Sequence, residues 1–282
     1  MKKYYVLIFT ASLVLSFVIF SCDKEDAWPD DLKKDFEAAA ILHTEAMEAS
    51  LDALKKAPAG DPSALLLVVE EAVTRHVAQN PGFAPHHEYA NNGLEAEVKR
   101  LYRFRKMVGD PNYKGEYEYN DFLLYTIHDH QDDLSEAQYN LLLSVNSIMA
   151  TYSTEEEIVP MLTQIQDVDC LALPEEERYV IYSAITIGIE SVGYWNAHID
   201  EWIAAFTDGD PDKIAHLDKW FNWGSIVGSD VAGGVGGAIG GAIAGSFAGG
   251  IGAGPGAIAG GVGGAAGTSA TDAVMQIIGH IF

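Results

Sequence analysis

Positive charge is scarce in this chain. Its 282 residues hold 17 Lys and Arg against 41 Asp and Glu, a formal charge of −24. A surface of that sign repels phosphate backbones, which excludes nucleic acid as a partner, and it disfavours contact with anionic lipid through the acidic part. Cysteine is nearly absent: there is Cys22 and there is Cys170. Strand-like alternation of apolar and polar residues is missing. So are Gly-x-Ser-x-Gly, a phosphate loop ahead of a helix, and His-Glu-x-x-His. Nothing therefore indicates a reaction, and the expectation is a non-enzymatic protein without a cofactor. The sharpest absence is local, because no charged residue occurs from Val231 to Thr271.

What fills that stretch is glycine at every fourth position. Gly233, Gly237, Gly241, Gly245 and Gly249 form one series, and Gly252, Gly256, Gly260 and Gly264 a second, with Pro255 at the junction. A spacing of four places small residues on one helical face, where two backbones approach closely. The pattern predicts a glycine-zipper helical hairpin over 223–282. Each arm, 226–249 and 256–278, is long enough for a bilayer of about 30 Å. Glycine costs a helix roughly 1 kcal/mol per residue relative to alanine. Such a hairpin therefore needs its second arm, another copy or a bilayer beside it. Three arrangements are open: a membrane-inserting hairpin, which the sequence favours, a buried soluble hairpin, and a flexible Gly/Ala tail. Self-association through the glycine faces is compatible with the first. Trp220, Phe221 and Trp223 lie just before the uncharged stretch, with Lys213 and Lys219 nearby, and read as a membrane-interface belt.

The amino terminus points the same way. Lys2 and Lys3 precede a nearly wholly apolar run from Tyr4 to Phe20, which is a secretory signal. Ile19-Phe20-Ser21-Cys22 resembles the lipobox of bacterial lipoproteins, with Phe20 bulkier than that family usually carries. The resemblance implies cleavage before Cys22 and acylation of Cys22. The following Asp23-Lys24-Glu25-Asp26 is similar to a surface-export signal of some Gram-negative lipoproteins, which implies an outer-membrane, surface-exposed location. Acylated Cys22 would leave Cys170 as a lone thiol, a residue that usually packs as a small apolar side chain. The glycine-rich tail resembles the two-helix glycine-zipper domains of bacterial envelope lipoproteins. It also resembles the glycine-rich helices of class II bacteriocins and pore-forming toxins.

Between these ends the expected order is signal 1–21, tether 22–31, an acidic all-helical domain 32–222 and the hairpin 223–282. Helical periodicity runs through Leu32, Phe36, Ala39, Ala40, Ala46, Met47, Leu51 and Leu54. Asp61-Pro62 opens a second helix and Asn80-Pro81-Gly82 stops it. Residues 82–93 read as a histidine-containing loop and 94–108 as an arginine-bearing helix. Ser135 with Gln138 forms a capping box, and Pro174-Glu175-Glu176-Glu177 starts a long helix ending near Phe206. A last short helix is expected from Asp210-Pro211 to Trp220. The segments His86–Leu94 and Val192-Gly193-Tyr194-Trp195 are loosely similar to stretches in uncharacterised secreted bacterial helical proteins, a group that implies no function.

One constellation resembles a metal site. His128, His130, Asp132 and Asp133 offer nitrogen and oxygen ligands suited to zinc, and His86-His87-Glu88 would add a second set if the fold joined the loops. Three functions follow in order. The first is a lipid-anchored envelope protein whose hairpin packs against or inserts into a lipid bilayer. The second is a surface-displayed, bacteriocin-like antagonist whose helical domain shields the tail. The third is a metal-dependent enzyme using the His128–Asp133 loop.

Overall fold

The computed structural model describes residues 30–57, 62–84, 86–207, 210, 212, 223–246 and 252–281. They form nine α-helices and, among the described residues, no strand. The helices are α1 (Asp30–Lys56), α2 (Pro62–Gln79), α3 (His87–Val108), α4 (Phe122–Asp129) and α5 (Glu136–Thr151). They continue as α6 (Glu155–Gln164), α7 (Glu175–Thr207), α8 (Trp223–Ser246) and α9 (Ala253–Ile281). The fold is all-α, as the periodicity predicts. Residues 34–282 make one compact unit, and of residues 1–33 only the start of α1 is described.

Local sequence accounts for several boundaries. Ser135 accepts from the Gln138 backbone N–H while the Gln138 side chain accepts from the Ser135 N–H, so the capping box starts α5. Three glutamates occupy the first turn of α6 and of α7, where the helix dipole favours negative charge. Pro255 falls in the first turn of α9, where the missing N–H would have had no intrahelical partner. Of the expected helix 210–220, only Asp210 and Asp212 are among the described residues.

The tail is central to the compact unit. Helices α8 and α9 form an antiparallel pair, and their mutual contact is the most extensive in the molecule. Helix α9 also packs on α3, α2 and α7, while α8 packs on α7, α3, α4 and α5. Every residue of α8 from Ser225 to Ile239 is buried, and every residue of α9 from Ala259 to Val274. Neither helix keeps a polar face, which is what a helix enclosed on all sides requires. Among the three arrangements open to the tail, the structure has the buried hairpin. The expected boundary at residue 222 therefore does not separate two compact units.

Glycine makes this possible in register. A Cβ on Gly233, Gly237, Gly241 or Gly245 would strike the carbonyl oxygen of Gly264, Gly260, Gly256 or Gly252, respectively. Both predicted series thus meet each other along the arm–arm contact; Gly249 lies outside the described residues. Other glycines serve the surrounding helices. Gly263 receives the Ala90 carbonyl, and Gly93 receives the carbonyl of Gly260. Gly261 faces Ser183 on α7, and Gly236 receives the side chains of Glu97 and Arg100.

This packing explains a difference from the sequence reading. Residues 87–93 were expected to be loop, yet α3 begins at His87. Gly93 weakens that turn by propensity, but its bare Cα lets α9 approach the backbone, and tertiary contact outweighs the local penalty.

Substitutions should divide the glycines sharply. Gly237→Ala forces a Cβ into the Gly260 backbone and should cost about 2 kcal/mol or more by overpacking. Gly240 is exposed, with open space where a Cβ would go. Gly240→Ala should stabilise by about 0.5–1 kcal/mol through helix propensity. Urea unfolding of both variants checks the opposite signs.

Candidate functional site

The hairpin has a polar base. Ser225, Ser229 and Asp230 near the start of α8 lie at the same end as Thr268, Ser269, Asp272 and Gln276 of α9, and all are buried. Thr268 Oγ1 donates to the Ser229 carbonyl across the arms at 2.8 Å, continuing the glycine register into the polar zone. Two acids that bracket the uncharged stretch in sequence are thus brought to one end of it, both with no solvent exposure.

Asp272 is fully engaged. Its Oδ1 accepts from Arg105 Nε at 2.9 Å and also from Arg105 NH2. Its Oδ2 accepts from Ser229 Oγ at 2.7 Å and from Gln276 Nε2 at 3.3 Å. Arg105 also donates to the Tyr119 carbonyl and lies over the Tyr119 ring, 3.7 Å from its centroid. The guanidinium is therefore held by a carboxylate, a carbonyl and an aromatic face, the partners that a buried arginine needs.

Asp230 is engaged on one oxygen only. Its Oδ2 accepts from Ser191 Oγ and from Trp195 Nε1, the latter at 3.1 Å. Its Oδ1 lies 3.5 Å from His43 Nε2, within ion-pair range. That contact falls outside hydrogen-bond geometry, and Oδ1 and both His43 ring nitrogens are buried without hydrogen-bond partners. Ser, His and Asp meet here, but Ser191 donates to the carboxylate and not to the histidine. The relay of a nucleophilic triad is therefore not formed.

A third ionic group rests on the outer face of α8. Arg100 NH1 donates to both Glu97 oxygens at 2.6 Å, and Arg100 Nε donates to Asp129 Oδ2 at 3.0 Å. Burial pushes the Glu97 carboxyl up to about 7, against the pull of Arg100.

The predicted metal residues do not converge. His128 Nδ1 shares a 2.7 Å hydrogen bond with the Tyr117 hydroxyl, and its ring stacks on Tyr139. His130 Nδ1 instead pairs with Asp133 Oδ2 at 3.0 Å. Burial and then the Arg100 charge lower the pKa of His130, outweighing the opposing pull of Asp133. Asp132 and Asp133 point to solvent from a 3-10 turn. No three His, Cys, Asp or Glu side chains among the described residues form a metal-binding group. His128 and His130 each take a separate local partner through Nδ1, so the His-x-His spacing marks a helix end here. Cys170 is buried, and burial pushes its thiol up to about 12, which makes it inert as a nucleophile. Cys22, Trp220, Phe221 and the side chain of Trp223 lie outside the described residues.

Sequence reasoning passed over the base acids and their partners. The signal was present: Asp230 and Asp272 are isolated acids at the two ends of an uncharged run, and His43 continues the apolar spacing Phe36, Ala40, Met47. Arg105 was visible only as one of three arginines on a helix. The loosely family-like Trp195 proves to be a core residue that holds Asp230 and Ser269.

No family model matches the chain, and comparison with curated proteins and with solved structures found no match either. The functional argument therefore rests on the geometry of the sheathed hairpin and its base.

Two stability measurements test the base and the Glu97–Arg100 group. Arg105→Met strands a buried carboxylate and should cost about 3–5 kcal/mol, whereas Arg105→Met with Asp272→Leu should recover most of that loss. Glu97, whose folded pKa lies above its ordinary value, binds more protons in the folded state between about pH 4.5 and 7. Its contribution is full below pH 4.5 and is lost as pH rises through 7. Glu97→Gln should flatten that part of the stability–pH curve, as read by denaturant midpoints at closely spaced pH.

Proposed function

We propose that this chain is a lipid-anchored protein of the cell envelope, without a catalytic role, that carries a membrane-active hairpin sheathed inside an acidic helical shell. The observation behind this reading is the coincidence of length, charge and burial in α8 and α9. Gly224–Ser246 is long and apolar enough to cross a membrane, and 83% of its apolar window is buried inside the protein. The uncharged parts of the arms, 231–246 and 253–271, are roughly 24 Å and 28 Å long at 1.5 Å per residue. A bilayer core is about 30 Å thick. The acids stand together at the base, so a hairpin entering from the opposite end would leave both outside the hydrocarbon. That far end is the less covered one, since Gly240, Ile243, Ala244 and Ser246 are exposed.

Lipidation of Cys22 and an outer-membrane, surface-exposed location belong to the same proposal and rest on the lipobox-like signal. The bilayer is then both the site of anchoring and the target of the hairpin, and exposed glycine faces offer a route to self-association once the shell opens. The antagonist reading gains from one observation. The helical domain encloses the tail on all sides over most of its length, as a delivery domain that shields a membrane-active segment must. The metal-site reading gains nothing from the described residues, where His128 pairs with Tyr117 and His130 with Asp133.

The test uses the full chain from residue 22 with Cys22→Ala, so that no lipid confounds the result. The protein is mixed with phosphatidylcholine vesicles in buffer and at moderate urea, and the vesicles are extracted with carbonate. The expected outcome is release in buffer and carbonate-resistant α8–α9 after partial opening. Leakage of an entrapped dye would favour the antagonist, and residence without leakage the envelope role. Complete release under every condition would make the hairpin a packing element only. In cells, radiolabelled palmitate should enter the wild-type chain and not Cys22→Ala.

A further inference from the structure

Helix α1 covers the hairpin base differently from the other shell helices. It reaches into the core with His43, which is wholly buried and faces Asp230 at 3.5 Å without a hydrogen bond on either ring nitrogen. Thr44 Oγ1, the next side chain, is also buried with no partner. Other polar ties of α1 lie toward the surface, among them Lys55 with Glu201 at 2.6 Å and Glu45 accepting from Asn80 at 2.8 Å. Helix α3 grips the other arm through Arg105, which donates to Asp272 from both Nε and NH2, and through the backbone approaches of Ala90 and Gly93.

The difference has an energetic direction. A buried polar atom without a partner has lost its water and gained nothing, and separation returns that hydration. Lifting α1 rehydrates His43, Thr44 Oγ1 and Asp230 Oδ1 while Ser191 and Trp195 keep their bonds to Asp230. Separating α3 from α9 strands Asp272 and Arg105. The two attachments at the hairpin base are therefore unequal.

We propose that α1 is a lid over α8, seated by its apolar face, whose polar contact with the hairpin at His43–Asp230 is under-satisfied. Its lifting is the first opening step, and the hairpin remains attached to α3 through Arg105–Asp272. The lid assignment concerns the folded protein in water. Its role in exposing the hairpin rests on the membrane reading above. On that reading, the lid is the described helix closest in sequence to the lipid-bearing Cys22, so the anchor and the lid share one short stretch of chain.

Amide hydrogen exchange on the full chain with Cys22→Ala, without lipid, tests the lid directly. Amides of the buried part of α1, around residues 39–51, should exchange at least tenfold faster than those of α3 and α9. Asp230→Asn keeps an acceptor for Ser191 and Trp195 and turns an N–H toward His43, so it should slow α1 exchange at least fivefold. Asp272→Asn should instead speed exchange in α3 and α9. If α1 exchanges together with α9 in a single global event, or if Asp230→Asn speeds α1, the proposal is overturned. The wild-type order alone decides should a variant fail to fold. With phosphatidylcholine vesicles, Asp230→Asn should slow the gain of carbonate resistance by the same factor. The expected exchange order with no carbonate resistance in any variant would keep the lid and remove the membrane reading.

Discussion

Two backbones in van der Waals contact set the terms for this protein. Along α8 and α9 the carbonyl of one arm occupies the place where the other would hold a side chain, at four successive positions in register. Contact that close is available only to glycine, and glycine is a poor helix former in water. The pair therefore depends on enclosure. Helices α2, α3, α4, α5 and α7 pack directly against the hairpin, which has no polar face of its own. With the middle of the molecule occupied by glycine and alanine, charge is displaced to the shell.

Enclosure carries a cost at the hairpin base, where two carboxylates enter a region without solvent. The protein meets that cost unequally. Asp272 receives an arginine, a serine and a glutamine, and the arginine is itself completed by a carbonyl and a ring. Asp230 receives a serine and an indole on one oxygen, and the other is left facing an imidazole. Removing either partner of a buried pair costs more than the pair contributes. Both contacts therefore fix the register of the hairpin against its shell more than they add stability. A slip of one turn would move both acids away from Arg105 and His43.

Much of this was legible in the sequence, and the reason is periodicity. The four-residue glycine spacing identified the faces that meet, and the apolar spacing gave the helices of the shell. Capping signals at Ser135 and Pro62 placed their starts. The location of the hairpin was not legible, because a helix apolar on every side is read identically by protein core and by hydrocarbon. Gly93 misled for a related reason: it looks like a loop residue until its partner Gly260, far along the chain, is beside it. The base was hidden because Asp230, Asp272, His43 and Arg105 come from four separate helices and share no spacing. His128 and His130 misled in the opposite sense, since adjacent ligand types in sequence diverge on a helix end.

The glycines fall into two physical classes, and the distinction bears on what the hairpin can do. Those of the arm–arm register need only the other arm, so their contacts persist wherever the two helices travel together. Gly236, Gly261 and Gly263, which receive Glu97, Ser183 and Ala90, have a reason to be glycine only while the shell is in place. A segment selected only for residence in a bilayer has no use for the second class, whereas arms free of charge on every face suit an enclosed core and a bilayer alike. The free-energy difference between the sheathed and any exposed state is then carried by the shell contacts and the base, and not by the register that joins α8 to α9. On the membrane reading proposed above, the helices that sheathe the hairpin are for that reason the part of the protein that would control it.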